Sequence, residues 1–340
     1  METTGPIPDG AMRILHVISR PGWSSDAYRA GRLTRELQDR GHRVTFVARA
    51  GAKEDILKRL SVLGVQDLLT LGSRRRRSPV RTALDLMTIR RLLHGYEVVH
   101  VHRAKEHWIA ALANLLISRP IPLIRTRHVV NPVGTHFLNR WLYGRVTTHV
   151  ITVSHQIREA YITSGLLEPR RVTALLGGVD HRTFQPNVDG QEFRRAHGLP
   201  SHAPLVGLLA RVRSMKGHET FLKAARMVLS SRPEVRFVLV GDGPRASDIR
   251  RLAGELGVER VATMVGFHPE PERALAAFDV AVYPSLSSEG MGRVVFEYMA
   301  MGRPIVASAV GLAKEVLKDG ETALLVPPGQ PEPLARAIET

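Results

Sequence analysis

The chain has 340 residues, 44% hydrophobic and 24% charged, the make-up of a soluble globular protein long enough for two hydrophobic cores. It has no cysteine, which excludes disulfides, thiolate catalysis and cysteine-based metal sites and suits a reducing cytoplasm. A net charge of +16 and a pI near 10.9 favour anionic partners, whether nucleic acid, anionic lipid or phosphorylated small molecules.

Residues 1–11, METTGPIPDGA, are polar, carry no hydrophobic signal core and read as a disordered leader. No apolar stretch approaches the roughly 20 residues of a membrane span. From there short apolar runs alternate with helical patterns. Strands are predicted at 13–19, 43–49, 97–102, 122–127, 149–154 and 171–176. After a gap they resume at 204–211, 236–243, 261–267, 279–285, 304–308 and 322–328. Helical segments at 27–40, 105–118, 155–164, 217–230, 246–256 and 293–301 separate them. Continuous apolar strands with helices between them mean parallel sheets covered on both faces.

The alternation breaks once, over 177–203, a stretch rich in turn formers. The reading is therefore an α/β chain of two Rossmann-like domains, 12–177 and 204–340, joined by a connection at 178–203. Ligands in such sheets bind beyond the carboxyl ends of the strands.

Two stretches lie there. In LLARVRSMKGHETF, 208–221, a strand ends at Arg211, Lys216 and Gly217 close a short loop, and a helix begins near His218. Two cations beside a helix amino terminus suit a diphosphate; two solvated basic residues are the plain alternative. In SEGMGRVVFEYMAMGRP, 288–304, Gly290 and Gly292 let backbone approach a ligand ahead of a helix. Glu297 sits in a run, Val294 to Met301, that is otherwise apolar and should be buried all round. A carboxylate there needs partners. Either the vicinal hydroxyls of a ribose supply them, or Arg293 does, one turn earlier. Glu289, at the loop tip, gains interest from its pairing with Glu297.

Lone signals carry less. GDGP at 241–244 lacks the third glycine of a dinucleotide fingerprint and reads as a turn. His100 and His102, on alternate positions of VVHVH, mimic metal ligands but fit a buried strand better. No Asp-x-Asp element for a divalent ion occurs. RRRR at 74–77 precedes a basic amphipathic segment, VRTALDLMTIRRLL at 80–93, which reads as a solvated helix face or an anionic membrane contact. With 5% aromatic residues and no recognised motif, nucleic-acid binding is not expected.

Together these residues resemble the GT-B glycosyltransferases of the large retaining family with the Glu-x7-Glu signature (glycosyltransferase family 4, group 1 type), over nearly the whole chain from Arg13. Glu289 and Glu297 match the signature, Arg211 and Lys216 the Arg-x4-Lys pair, and 177–186, GGVDHRTFQP, the passage into the second domain. The resemblance implies two domains facing across a cleft and a nucleoside-diphosphate hexose as donor. It implies a glycan or lipid-linked acceptor, as in cell-envelope polysaccharide or lipopolysaccharide synthesis, no cofactor and no metal. Arg211 and Lys216 would neutralise the leaving diphosphate, with Gly290, Gly292 and Arg293 beside it, and Glu297 would hold the ribose. Glu289 and His128 would contact the sugar, Gly266 and Phe267 the nucleobase, and Gly22 would line the diphosphate from the first domain. A cytoplasmic location, with contact to the inner membrane face, goes with these expectations.

The sequence departs from the family pattern at Ala210 and Leu312, where glycine is usual, and in a first loop with a single glycine. It also ends at Thr340, where relatives normally continue through a helix crossing back onto the first domain. A nucleotide-sugar epimerase of the same fold and a non-catalytic basic protein binding glycolipid or nucleic acid are the alternatives. The intact pairs of glutamates and cations argue against the second.

Overall fold

The computed structural model describes residues 10–18, 24–49, 55–71, 78–287 and 292–340. It divides into two units, Met1–Leu175 and Leu176–Thr340. No helix among the described residues is long and apolar enough to cross a membrane.

The first unit alternates β1 (Arg13–Ile18), α1 (Ser25–Asp39), β2 (Arg43–Arg49), α2 (Asp55–Val62), β3 (Asp67–Leu71), α3 (Pro79–Leu93) and β4 (Val98–Val101). It continues through α4 (Ala104–Leu115), β5 (Leu123–Arg127), α5 (Phe137–Trp141), β6 (His149–Thr152), α6 (His155–Thr163) and β7 (Val172–Ala174). All seven strands are parallel, in the order β3-β2-β1-β4-β5-β6-β7. The chain leaves β1 toward β2 and β3, then returns to β4 on the other side of β1. That reversal puts a crevice at the carboxyl ends of β1 and β4. The register there sets His16 opposite His100. β3 escapes the sequence reading because this edge strand, DLLTL, is only five residues long, too short a run to stand out, and its side chains are mostly exposed.

The second unit holds α7 (Gln191–Ala196), β8 (Leu205–Leu209), α8 (His218–Ser231), β9 (Arg236–Val240), α9 (Ala246–Glu255), β10 (Ala262–Gly266) and α10 (Pro271–Ala276). After them come β11 (Val280–Tyr283), α11 (Val294–Ala300), β12 (Ile305–Ser308), α12 (Gly311–Val316), β13 (Leu324–Val326) and α13 (Pro331–Glu339). Its six parallel strands run β10-β9-β8-β11-β12-β13, reversing between β8 and β11. Alternate side chains feed two cores. Phe237 and Leu239 of β9 pack with Phe221 and Leu222 of α8, while Val238 and Val240 pack with Phe278, Val295 and Tyr298. The sheet is therefore covered on both faces, as its apolar strands require.

Two sequence readings are corrected. Residues 178–203 are part of the second unit rather than a connection. Arg194, buried on α7, donates to the carbonyls of Ala203 (2.8 Å), Pro200 (3.0 Å) and Ala277 (2.7 Å) and pairs with Asp279 at 2.8 Å. One side chain thus stitches a turn-rich segment to the sheet. Second, α11 is not buried all round: Met299 is exposed on its outer side.

Strands β8 and β11 pair only at Val206–Val280 and Gly207–Ala281. Beyond that they part, leaving ladder groups without a strand partner. The Tyr298 hydroxyl fills the gap, accepting from the Leu209 amide at 3.0 Å and donating to the Val282 carbonyl at 3.2 Å. Tyr298 is fully buried, and burial pushes its phenol pKa up, so it stays a neutral donor and acceptor. Tyr298→Phe removes a partner from two buried backbone groups. It should lower the unfolding free energy by about 1–3 kcal/mol in urea titrations; an unchanged midpoint would mean that water replaces the bridge.

Candidate functional site

In the second unit the predicted residues gather at the carboxyl ends of the two parting strands. β8 ends at Leu209, so Arg211 projects from the loop two residues later and is exposed. That loop is held from the β9 side: Ala210 donates to Val240 at 3.0 Å and Val212 to Asp242 at 3.1 Å. The GDGP stretch is what allows it. A Cβ on Gly243 would lie 2.3 Å from the Val212 carbonyl oxygen, so only glycine lets the two backbones come this close.

A 3-10 turn, Ser214–Lys216, follows and ends on Gly217 at φ 69°. A Cβ there would meet the Pro284 carbonyl oxygen at 1.8 Å. The Leu286 amide donates to the Met215 carbonyl at 2.9 Å. Together these fasten the loop after β8 to the loop after β11, with Lys216 Nζ 6.0 Å from the centroid of the Tyr283 ring. The α8 helix starts at once with His218, so its first amides follow directly on Lys216 and Gly217.

His218 escaped the sequence reading. It is buried, and desolvation pushes its pKa down to about 4, against a hydrogen bond to the Ala210 carbonyl. It is therefore neutral at pH 7. The signal was the spacing His218, Phe221, Leu222, Ala225, an apolar helix face with one polar member.

Glu297 is 4% exposed, and its partner in the structure is Arg293, Nε to Oε1 at 2.8 Å. Of the two alternatives the sequence left, the structure supplies the ion pair. Burial raises the carboxyl pKa, and Arg293 pulls it the other way. Gly292 has φ 44° and abuts the Tyr283 hydroxyl and Leu312. Gly266 closes β10 with φ 79°, and Phe267 beyond it is 68% exposed, an uncovered ring at the same end of the sheet. Glu289, Gly290 and, in the first unit, Gly22 lie outside the described residues.

In the first unit the crevice between β1 and β4 is filled by histidines. His16 and His100 are buried and joined, His100 Nδ1 to His16 Nε2, at 3.0 Å. His16 Nδ1 meets Thr34 Oγ1 at 2.8 Å, and the Thr34 hydroxyl itself donates to the Ala30 carbonyl at 2.9 Å. The His16 proton is thereby placed on Nδ1. His100 must then donate to His16 and accept from Thr126, 2.7 Å from its Nε2. His102, just past β4, stands 3.2 Å from His128 Nε2, at the end of β5. Sequence singled out His100, His102 and His128; it missed His16, whose place beside them follows from the strand order alone.

Nitrogens of His16, His100 and His102 all lie within 4.8 Å of one another. The His16–His100 hydrogen bond occupies two of those rings, and Arg29 and Arg125 act on His100 with the wrong sign for a cation. Burial first, then the neighbouring histidines and Arg125, hold His100 and His102 well below the usual imidazole pKa. The cluster is neutral. At its rim Asp26 pairs with Arg103, Nε to Oδ2 at 2.8 Å. Burial would raise the Asp26 pKa, but the Ser24 hydroxyl and Arg103 bring it below the usual value.

Residues 27–183 match the family model described as Glycosyltransferase Family 4, and residues 189–340 match Glycosyl transferases group 1. The chain belongs to this family of glycosyltransferases. A D-inositol 3-phosphate glycosyltransferase of Corynebacterium aurimucosum is 28% identical over 273 residues, 72% of this chain and 63% of that protein. One of Acidothermus cellulolyticus is 31% identical, covering 72% and 59%. An alpha-D-kanosaminyltransferase of Streptomyces kanamyceticus is 33% identical, covering 57% and 51%. The chain spans at most 63% of the length of these three curated relatives. Among solved structures, Anabaena HepE in complex with UDP superposes with a TM-score of 0.82 at 22% identity, covering 96% of this chain and 89% of that one. A glycosyltransferase from Rickettsia africae gives 0.84 at 19%, covering 97% and 88%. The fold is of the GT-B class.

The Glu297 environment gives a signed expectation. Its pKa is raised in the folded state above 4.5. The stability it contributes is therefore present below the unfolded value and lost as pH rises through the folded one. Glu297→Gln should be at least as stable as wild type at pH 7, and wild type should gain on it as pH falls toward 4. Chemical denaturation at several pH values measures this. Loss of wild-type stability relative to the variant on acidification would contradict the assignment.

Proposed function

We propose that this chain is a retaining glycosyltransferase that moves a hexose from a nucleoside-diphosphate sugar to a glycan or lipid-linked acceptor. The observation that carries this reading is the fastened pair of loops after β8 and β11. They hold Lys216 beside the α8 amino terminus, with Arg211 on the same loop. Such a site is preorganised for the charge that develops on a leaving diphosphate, commonly the largest single catalytic contribution. Glu297, with Arg293, would face the ribose, and Phe267 offers a ring to the base. The curated relatives are named as glycosyltransferases, and a structural neighbour was solved with UDP-glucose. No metal or cofactor enters the proposed step; the cations of the chain do the work.

Lys216→Ala should cut turnover by about 10²–10³, the effect of removing one preorganised charge-stabilising group. Release of nucleoside diphosphate from a donor panel, with and without acceptor, measures it. Full activity in this variant would refute the diphosphate role. Conversion of a donor to its epimeric nucleotide-sugar with no net release of nucleoside diphosphate would point to the epimerase alternative, and no reaction with any donor to the non-catalytic one.

The acceptor reading has its own support in the first unit. α3 turns Asp85, Ile89 and Leu93 inward but leaves Val80, Leu84 and Met87 exposed on its outer face, with Arg90 and Arg91 beside them. Leu112, Leu115 and Leu116, on and just after the neighbouring α4, are exposed too. An apolar stripe edged by arginines suits the surface of an anionic membrane, where a lipid-linked acceptor would lie. The Arg74–Arg77 run that precedes α3 lies outside the described residues. Replacing Leu84 and Met87 with Ser should weaken binding to anionic vesicles and leave nucleotide affinity intact. Each arginine changed to glutamine should cost about 1 kcal/mol of vesicle binding at low salt. Equal binding to neutral and anionic vesicles would remove the membrane from the proposal.

A further inference from the structure

We propose that Arg213 binds a second anionic group, a carboxylate or phosphate that the substrates carry a sugar ring beyond the diphosphate. This rests on the reading of Arg211 and Lys216 as a diphosphate site, and it names the class of substrates that such a site would take: a donor and acceptor of which one is acidic.

The backbone decides where Arg213 stands. Past Leu209 the chain goes on as a strand would: amides two residues apart, Ala210 and Val212, both donate to the β9 side, and Arg213 is still extended at φ −139° and ψ 156°. Side chains on such a backbone alternate between faces. Leu205, Gly207 and Leu209 lie on the α11 face of the sheet. There Leu205 belongs to the core of Phe278 and Tyr298, and a Cβ on Gly207 would run into the Phe278 ring at 2.3 Å. Arg211 and Arg213 continue that face, with Arg213 about 7 Å farther out at the rise of a strand. Lys216 reaches the same face from the other end of the loop. It lies near Tyr283, which is part of that core and whose hydroxyl lies against Gly292 ahead of α11.

No carboxylate among the described residues claims this arginine. The side chains of Arg211 and Arg213 are exposed, and neither has a partner there. The acids of the neighbouring elements are taken. Glu219 of α8 and Asp248 of α9 both pair with Arg245, at 2.8 and 3.1 Å. Asp242 accepts from the Gly243 amide of its own turn at 2.7 Å, and Glu297 holds Arg293. The loop therefore presents Arg211, Arg213 and Lys216 to a ligand together with the α8 amino terminus. The diphosphate of a nucleotide-sugar is a diester with two negative charges, which Arg211 and Lys216 match. Arg213 is the cation left over. Its place beyond Arg211 suits a carboxylate or a phosphate, which the planar guanidinium can hold by two parallel hydrogen bonds.

Two binding experiments identify the source of the charge. In the first, calorimetry compares donors that differ only in the acid: UDP-glucose with UDP-glucuronate, and GDP-mannose with GDP-mannuronate. In the second, protein saturated with nucleoside diphosphate is titrated with inorganic phosphate and with glycerol phosphate. A preference of roughly tenfold for an acidic donor, the size of one charge-assisted hydrogen bond, places the anion on the donor. Phosphate binding to the nucleotide-loaded protein places it on the acceptor. Arg213→Gln should erase whichever of the two is seen, and Arg213→Lys should keep part of it. Arg211→Gln should instead weaken acidic and neutral donors alike. Because the site is exposed, salt at about 0.5 M should shrink the preference. Equal binding of acidic and neutral donors without phosphate binding overturns the proposal, and so does a preference that survives in Arg213→Gln. Nucleoside-diphosphate binding in either case leaves the transferase reading standing. A protein that binds neither nucleoside diphosphate nor pyrophosphate would remove both.

Discussion

The second unit is organised by the place where β8 and β11 stop pairing. Parallel strands that diverge expose amides and carbonyls that the sheet no longer satisfies, and buried backbone groups do not tolerate that. Here a phenol completes the ladder, Tyr298 reaching both strands from α11. The consequence is positional. Glu297 is the residue before Tyr298, so the hydroxyl that closes the sheet also fixes the turn of helix on which the signature carboxylate stands. The same opening makes room for the loop after β8 to rest against Pro284 and Leu286, which brings Lys216 to Tyr283. The structural repair and the candidate site share the same few side chains.

Both candidate sites occupy the point where strand order reverses, yet they treat charge oppositely. In the second unit the cations are exposed or half-buried and face outward, ready for an anion. In the first, the charges are withdrawn: four histidines are driven neutral by burial, and Asp26 and Arg103 satisfy each other. Glu297 stands between these regimes, a buried carboxylate held by a single arginine. Such a pair adds little to stability compared with an apolar substitute.

Much of this was legible in the sequence because the folding signals are local. Continuous apolar runs gave the strands, and the motifs were placed by lying just after two of them. What was illegible is what depends on assembly. His16 and His100 meet across 84 residues because the register sets them opposite each other, and periodicity within either strand does not reveal it. β3, an exposed edge strand of five residues, is too short a run to stand out. The Arg293–Glu297 pair was visible as an i, i+4 spacing, but spacing could not say whether a side chain or a ligand fills the carboxylate's first valence. Residues 178–203 looked like a connection because turn formers dominate them, whereas one arginine makes them part of a domain.

That arginine has a consequence for how the chain can be divided. Arg194 gathers carbonyls from 200–203 and from the end of α10, and Asp279, its anionic partner, also accepts from the first amide of β8 at 2.7 Å. The start of the sheet is therefore clamped by a residue lying upstream of the first strand. A recombinant half cut at Pro204, where the apolar pattern begins, would discard the clamp and leave Asp279 as a bare anion beside β8. The natural module boundary lies before α7, so domain swaps among relatives should exchange that helix together with the sheet it fastens.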